Sequence, residues 1–563
     1  MSRSVPRDKH PGLTVPARDE WDRIVQTSSA DAARSPARRT TDGAPWWRHS
    51  VCYQIYIRSF ADANGDGVGD LAGIEQRLPY LADLGVDSVW ITPFYTSPQH
   101  DHGYDVADYR DVDPLFGTLA DFDSMLARAH ALGIRVIVDL VPNHTSSEHP
   151  WFRDALSTGP GSPERDRYVF RDGTGRGGTR PPNNWRSMFG GPAWTRVEDG
   201  ERNPGQWYLH MFDGTQPDLN WWNPEVGDEF ESVLRFWLDR GVDGFRIDVA
   251  HGLYTPADLA DRKRGESMPM WDQPEVHGVY RRWRQVLDAY DGQRMAVAEA
   301  WTDTAESMAR YVRSDELQQA FNFHWLTARW SAAAFRDVVT ETLAAVGPVD
   351  ASATWVLSNH DVVRHVTRYG GGARGLTRGR AAVLTMLGLP GSCYIYQGEE
   401  LGLEQVEVAP EHRQDPSYFR GGNEGRDGCR VPLPWSGAVP PFGFGPVEGQ
   451  PWLPQPAPWG DLSVEAQTGD PDSTLSFYRT ALATRRELTD GIGDEVTILG
   501  SAPGTLAFRR GETLLCMVNC GSRDARVPAE GGDVVLSSGP LGPDHRDGSR
   551  TLPPDTAAWF RAR

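Results

Sequence analysis

The stretch Gly244–Ala250, GFRIDVA, decides how this chain reads. It is an apolar run of strand length in which Arg246 and Asp248 stand two apart, and the period-two alternation of a strand puts both on one face. Runs of the same texture recur: VCYQIYIRSF from Val51, GVDSVWITP from Gly85, IRVIVDLVPNH from Ile134, MAVAEAW from Met295, FNF from Phe321, ATWVLSNHD from Ala353 and SCYIYQGEE from Ser392. Amphipathic stretches of helix length, such as LADFDSMLARAHALG from Leu119, lie between them. Eight strands alternating with helices before residue 400 predict an α/β fold, a parallel (β/α)8 TIM barrel.

The interval from His144 to Gly244 is too long for one crossover helix and is dense in Gly, Pro, Arg and Trp. It predicts a small domain inserted after the third strand. Past residue 475, TLAFRRGETLLCMVNCG reads as two strands around a charged turn and VPAEGGDVVLSSG continues the pattern, so an antiparallel β-sandwich domain closes the chain. Residues 1–45, rich in Arg, Ser, Pro, Asp and Thr, read as a disordered or loosely attached extension. The expected division is therefore 1–45 extension, 46–143 and 218–474 barrel, 144–217 inserted domain, and 475–563 C-terminal domain. A Pro-, Gly- and Trp-rich loop over about 405–460 is expected to cross the barrel mouth.

Composition narrows the chemistry. The chain has 563 residues, 57 basic against 77 acidic, for a net charge of −20. That balance gives phosphate backbones and anionic lipid little to hold, so neither nucleic acid nor membrane is an expected partner. Only Lys9 and Lys263 are lysines, neither ends a strand run, and GxxxxGK[ST] is absent. Schiff-base and phosphate-loop chemistry fall away, and no organic cofactor is expected. Five scattered cysteines do not make a disulfide framework, and the N-terminus MSRSVPRDKHPGL has no apolar stretch that could act as a signal peptide, so a cytoplasmic monomer or homodimer is expected.

In such barrels the chemistry sits where the strands end. Three runs end in carboxylates: Asp248, Glu299 in AEAW and Asp361 in SNHD. Arg246 on the same face predicts an ionised Asp248, the state a covalent nucleophile needs. Glu299, between Ala298 and Ala300 and near Trp301, has an apolar setting that predicts a protonated acid. A nucleophile and an acid of this kind make the pair of a retaining glycoside hydrolase. The plain alternative is a buried Arg–Asp pair beside a solvated Glu. Asp139, Asn143 and His144 close the third run and His360 precedes Asp361, so a metal site is a further alternative, strengthened by His100 and His102. It is weakened by the lack of a bridging lysine, and hydroxyl-binding histidines are preferred. Among the aromatics, Tyr104, Phe170 and Trp301 adjoin these motifs.

DANGDGVGD, residues 62–70, spaces oxygen donors at Asp62, Asn64, Asp66 and Asp70 with the Val68 carbonyl between them. It is similar to the first half of a calcium loop but lacks the bidentate Glu of an EF-hand. A structural Ca2+ is expected there.

Together DLVPNH, GFRIDVA, AEAW and SNHD resemble, in this order and spacing, glycoside hydrolase family 13, the α-amylase family, over about residues 46–560. QPDLNW from Gln216, PPNNWRSMFGG from Pro181 and GQWYLH from Gly205 resemble its oligo-1,6-glucosidase and α-glucosidase branch. The resemblance implies that Asp248 is the nucleophile, Glu299 the acid and base, and Asp361 a residue that holds sugar hydroxyls and strains the ring. It implies glucose contacts from Asp101, Tyr104, His144, Arg246, His360 and Arg426, an Asp101–Arg426 pair closing the pocket, and a structural calcium at the 62–70 loop. The implied function is a retaining, exo-acting α-glucosidase acting on a small oligosaccharide or α-glucoside. A transglucosidase using the same residues is the near alternative, and a non-enzymatic binding barrel the distant one. Val249 goes with α-1,6 linkages in related enzymes, but Ala250-His251-Gly252 departs from their VIN or TVN context, and linkage stays open.

Overall fold

Strands β1 (Val51–Ile55), β2 (Ser88–Ile91), β3 (Arg135–Leu140), β4 (Gly244–Ile247), β5 (Met295–Ala298), β6 (Gln319–Ala320), β7 (Thr354–Val356) and β8 (Ser392–Tyr396) form one parallel sheet. Its neighbour order is β6-β5-β4-β3-β2-β1-β8-β7, and a parallel bridge from Phe321 to Thr354 closes the ring. The computed structural model describes residues 44–561 apart from 198–204, 422–423, 447–448, 490–491, 528–530 and 547–548. The expected N-terminal extension lies, but for Ala44 and Pro45, outside the described residues.

The strands read as apolar runs because a barrel buries them on both faces: every residue of β1, β2, β4, β5 and β8 is buried. The helices between them show why they start and stop where they do. Leu119–Ala131 opens with a capping box, in which Thr118 and Asp121 satisfy each other's backbone N–H groups. Its buried residues Phe122, Met125, Leu126 and Ala129 follow the i, i+3, i+4, i+7 spacing of a single apolar face. Helix Leu71–Leu84 begins where Asp70 accepts from Gly73 N and ends at Gly85, whose φ of 92° needs a residue without Cβ.

One strand differs from expectation. The run FNF from Phe321 was expected to be β6, but the strand is Gln319–Ala320, and Phe321 makes only the closing bridge. Asn322 explains the shift: its side chain accepts from Trp325 N and caps a short helix, Phe323–Leu326, so the second Phe of the run is already helical.

Between β3 and β4 the chain leaves the barrel and returns through adjacent positions, His144 bridging Asp218 and Leu219 N donating to Asn143 O at 2.9 Å. The excursion carries a three-stranded antiparallel sheet in the order Phe170–Asp172, Gln206–Leu209, Trp194–Arg196. Its small core joins Trp185, Trp194, Leu209 and Met211 to Met268 and Met270 from the loop after β4. Asn183 Oδ1 ties this core together, accepting from Trp185 N at 3.1 Å and Trp194 Nε1 at 2.8 Å.

The last barrel helix, Thr474–Thr489, leads into a five-stranded antiparallel sheet of Val496–Leu499, Thr505–Arg510, Leu514–Asn519, Thr556–Arg561 and Asp533–Ser537, in that spatial order. One face packs on helix Gly372–Gly388, where Trp559 Nε1 donates to Leu384 O at 3.0 Å. The other covers a second core that includes Leu515, Met517, Val527 and Leu552, the last two from a two-stranded sheet. All five cysteines are free thiols. Among the described residues no helix is long and apolar enough to cross a membrane.

Candidate active site

The C-terminal ends of β3, β4, β5 and β7 open on a pocket of about 390 Å³, within the range of roughly 300–1,000 Å³ in which small-molecule sites fall. Its floor is built around one guanidinium. Arg246, 1% exposed, donates through Nη1 to Asp248 Oδ1 at 2.5 Å and to Asp139 Oδ1 at 3.0 Å, and lies 3.0 Å through Nη2 from Glu299 Oε2. Three neighbouring strands thus deliver three carboxylates to one cation. Trp90 Nε1 and the Tyr104 hydroxyl, each at 3.1 Å, complete the shell of Asp139.

Burial pushes the Asp248 carboxyl up; Arg246 pulls it back, while Glu299 and Asp139 add to the push. Asp139 is raised by burial to about 6, against the pull of Arg246. The Arg246–Asp248 contact expected on the strand face is present. The apolar setting expected for Glu299 is not found: its carboxylate accepts from Val249 N at 2.8 Å and Trp301 Nε1 at 3.0 Å in addition to facing Arg246. Two of those partners come from β4 and the turn after it, which flanking residues in sequence do not reveal.

A second guanidinium closes the opposite side. Arg426 donates to Asp101 at 2.7 Å, Asp415 at 2.7 Å and Asp361 at 3.2 Å, and Arg430 adds a 3.0 Å contact to Asp361. Burial raises the Asp101 carboxyl to about 6, with Arg426 opposing. For Asp361, burial works upward, but contact with His360 and the guanidiniums of Arg426 and Arg430 outweighs it and holds the carboxyl well below the usual range.

The two histidines are hydrogen-bonding groups. His360 is stacked on Tyr104 at 5.3 Å and on Tyr56 at 5.6 Å, with Nδ1 2.7 Å from Gln54 Nε2 and Nε2 3.3 Å from Asp361. Since the Gln54 amide nitrogen can only donate, Nδ1 accepts and Nε2 carries the proton. His144 lies 3.0 Å from Asn143 Oδ1 and 3.0 Å from the Tyr104 carbonyl. Burial lowers His144 to about 4 and His360 well below its ordinary value, so both are neutral near pH 7.

All nine expected catalytic and glucose-binding residues therefore meet at this pocket: eight line it and Arg246 lies beneath it. Trp301 lines it as well; Phe170 does not, and packs instead against Phe152 and Arg165 in the inserted domain. Sequence reading missed Asp415, Arg430 and Gln216, whose Nε2 is 3.2 Å from both Asp101 Oδ2 and His144 Nε2. The strings GRDGCRVP and QPDLNW held the signal for Arg430 and Gln216, without a spacing rule to read it by.

The 62–70 loop lies apart from the pocket. Asp62 accepts from Gly65 N and Gly67 N, Asp66 from Val68 N, and Asp70 from Ala63, Asn64 and Gly73 N. Among the described residues no three His, Cys, Asp or Glu side chains gather as a metal site. A cation here would have to draw on the Asn64 amide and the Val68 carbonyl beside the carboxylates, whose oxygens keep lone pairs beyond those used by the loop amides.

A model of the α-amylase catalytic domain matches residues 54–491, and one of a domain of unknown function, DUF3459, matches 493–559. A probable alpha-glucosidase of Rhizobium meliloti (strain 1021) is 40% identical over 84% of this chain and 89% of its own length. An oligo-1,6-glucosidase of Heyndrickxia coagulans is 36% identical over 79% of this chain and 86% of its own. The crystal structure of an alpha-glucosyl transfer enzyme superposes with a TM-score of 0.83 at 39% identity, covering 92% of this chain and all of that one.

Proposed function

This chain belongs to the α-amylase family of glycoside hydrolases, and we propose that within it the protein is a retaining, exo-acting α-glucosidase releasing glucose from the non-reducing end of short α-glucosides. The observation that carries the reading is the shared guanidinium: Arg246 holds Asp248 and Glu299 side by side at the floor of a pocket of sugar size. Asp248 attacks C1 while Glu299 protonates the departing oxygen, giving a glucosyl ester and a free leaving group. Glu299, now a carboxylate, then takes a proton from water, whose oxygen displaces Asp248 and restores the α-configuration. The neutral His144 and His360, with Asp361, offer partners to the hydroxyls of the bound ring. The Asp101–Arg426 ion pair supports exo action, because it stands where a further sugar on the non-reducing side would have to pass.

A sugar hydroxyl in place of water would turn the same residues to transglucosylation, a reading favoured by the 39% identity to an alpha-glucosyl transfer enzyme. Following maltose and isomaltose turnover by NMR tests both. An α fraction in the early glucose above that of the substrate's own reducing ends is expected, and one below it would defeat the retaining reading; trisaccharide formed one for one with glucose would replace hydrolysis by transfer. We also propose that Asp62, Asn64, Asp66, the Val68 carbonyl and Asp70 hold a structural Ca2+, which stiffens the loop leading into helix Leu71–Leu84 and takes no part in the chemistry.

A further inference from the structure

Two N–H donors and one guanidinium face the Glu299 carboxylate, and they divide unevenly between its oxygens. Oε2 meets the Val249 backbone N–H at 2.8 Å and Arg246 Nη2 at 3.0 Å, whereas Oε1 accepts from the Trp301 indole Nε1–H at 3.0 Å. A carboxylate oxygen offers about two lone-pair sites. The guanidinium charge 3.0 Å from Oε2 disfavours a proton on that oxygen, so a proton settles on Oε1.

The geometry on both sides is fixed by packing. Val249 has φ of 46°, a conformation that β-branched residues avoid. Gly252 N to Val249 O at 2.9 Å and Ala250 N to Glu299 O at 2.8 Å hold the turn, and Trp271 lies so close over Gly252 that a Cβ there would stand 2.4 Å from its ring. Trp301 is stacked on Phe323 with ring centroids 4.0 Å apart, and it lines the pocket with 40% of its surface exposed.

We infer that Oε1 is the oxygen through which Glu299 gives and takes its proton, and that Trp301 is the positioning residue that aims it. This rests on the reading of Glu299 as acid and base. In the first half-reaction the proton on Oε1 passes to the glycosidic oxygen as the C1–O bond breaks with its electron pair going to that oxygen, and the Asp248 carboxylate bonds to C1. In the second, water gives a proton to Oε1 and its oxygen bonds to C1, while the ester bond breaks with its pair returning to Asp248. The indole N–H fixes the direction of Oε1 and leaves its second lone-pair site for the proton. The other titratable or charged groups facing Glu299 are Arg246 and Asp248 at the end of β4 and His251 in the turn beyond, whose ring hydrogen-bonds the Glu299 carbonyl. The side toward Phe323 is apolar.

Trp301→Phe keeps a ring on Phe323 and removes the N–H. On maltose kcat should fall roughly tenfold, and on p-nitrophenyl α-glucoside, whose leaving group needs little protonation, about twofold or less. Turnover of that aryl substrate also reports that the variant is folded, and Trp301→Leu serves if Trp301→Phe is not. Equal losses on both substrates would overturn the inference. Glu299→Gln separates this from the underlying reading: wild-type maltose turnover in that variant defeats both, whereas its loss beside an unchanged Trp301→Phe defeats the inference alone.

Discussion

Two arginines in this molecule each gather three carboxylates, and under the proposed function the difference between them divides the pocket into chemistry and recognition. Arg246 draws Asp139, Asp248 and Glu299 from three adjacent barrel strands and their ends. Arg426 draws Asp101, Asp361 and Asp415, and sits with Asp415 and Arg430 on the long segment after β8. The first cluster is as rigid as the hydrogen-bonded ring beneath it, which suits groups that must be held in reacting geometry. The second depends on loops, which suits groups that decide what enters.

The sharpest way to break this division is to compare losses in kcat. Asp248→Asn, isosteric and still able to meet Arg246, should lower kcat by roughly 10⁴-fold or more. Arg426→Ala should lower kcat/KM on maltose by about 10²-fold, mainly through KM. Arg426→Lys should recover little of it, because an ammonium cannot reproduce the forked contacts to three carboxylates. Steady-state kinetics on maltose read both, and a kcat loss from Arg426→Ala equal to that of Asp248→Asn would erase the distinction.

Acidity sharpens the same comparison. As pH falls through about 6, Asp101 takes up a proton and Arg426 loses one of its three charged partners, so KM for maltose should rise. Asp101→Asn, weaker throughout, should show no such limb. The stability linkage runs the other way: a carboxyl whose folded value lies above its unfolded value of about 3.9 stabilises the fold most below that pH and loses the contribution as pH rises through 6. Because Asn stands in for the protonated carboxyl, melting curves of the two proteins should lie closer at pH 5 than at pH 8, where the wild type has lost that contribution. The smallest effect is expected far from both arginines. Chelation by EDTA should lower Tm by a few degrees, reversed by Ca2+, with kcat at 25 °C unchanged; an unaltered melt would remove the proposed calcium.

The sequence exposes the Arg246 cluster better than the Arg426 cluster, for a physical reason. Strand periodicity ties Arg246 to Asp248 directly, and the carboxylates of the neighbouring strands end their own runs. Asp415 and Arg430 obey no period, because the segment carrying them has only short helical turns between irregular stretches, and their meeting with Asp361 depends on a chain path no local rule describes. Glu299 marks the limit within the barrel itself. Its place at the end of β5 follows from the apolar run, but its partners are a backbone N–H one residue beyond Asp248, a guanidinium on β4 and an indole two residues ahead. The misplaced β6 has a more local origin: in FNF the apolar residues argue for a strand, and the Asn322 cap overrides them.

The inserted domain departs and returns through the paired positions His144 and Asp218, which makes it modular in outline but not in content. A graft of residues 145–217 from a relative could be spliced at that stem without disturbing barrel register, and would carry Gln216 and the whole rim contributed by Met188 and Phe189. It would also strand Met268 and Met270, whose apolar surface is covered by Trp185, Trp194 and Met211. The heritable unit is thus two segments rather than one, the insertion and the loop after β4, and exchange of substrate preference between relatives should require both to travel together.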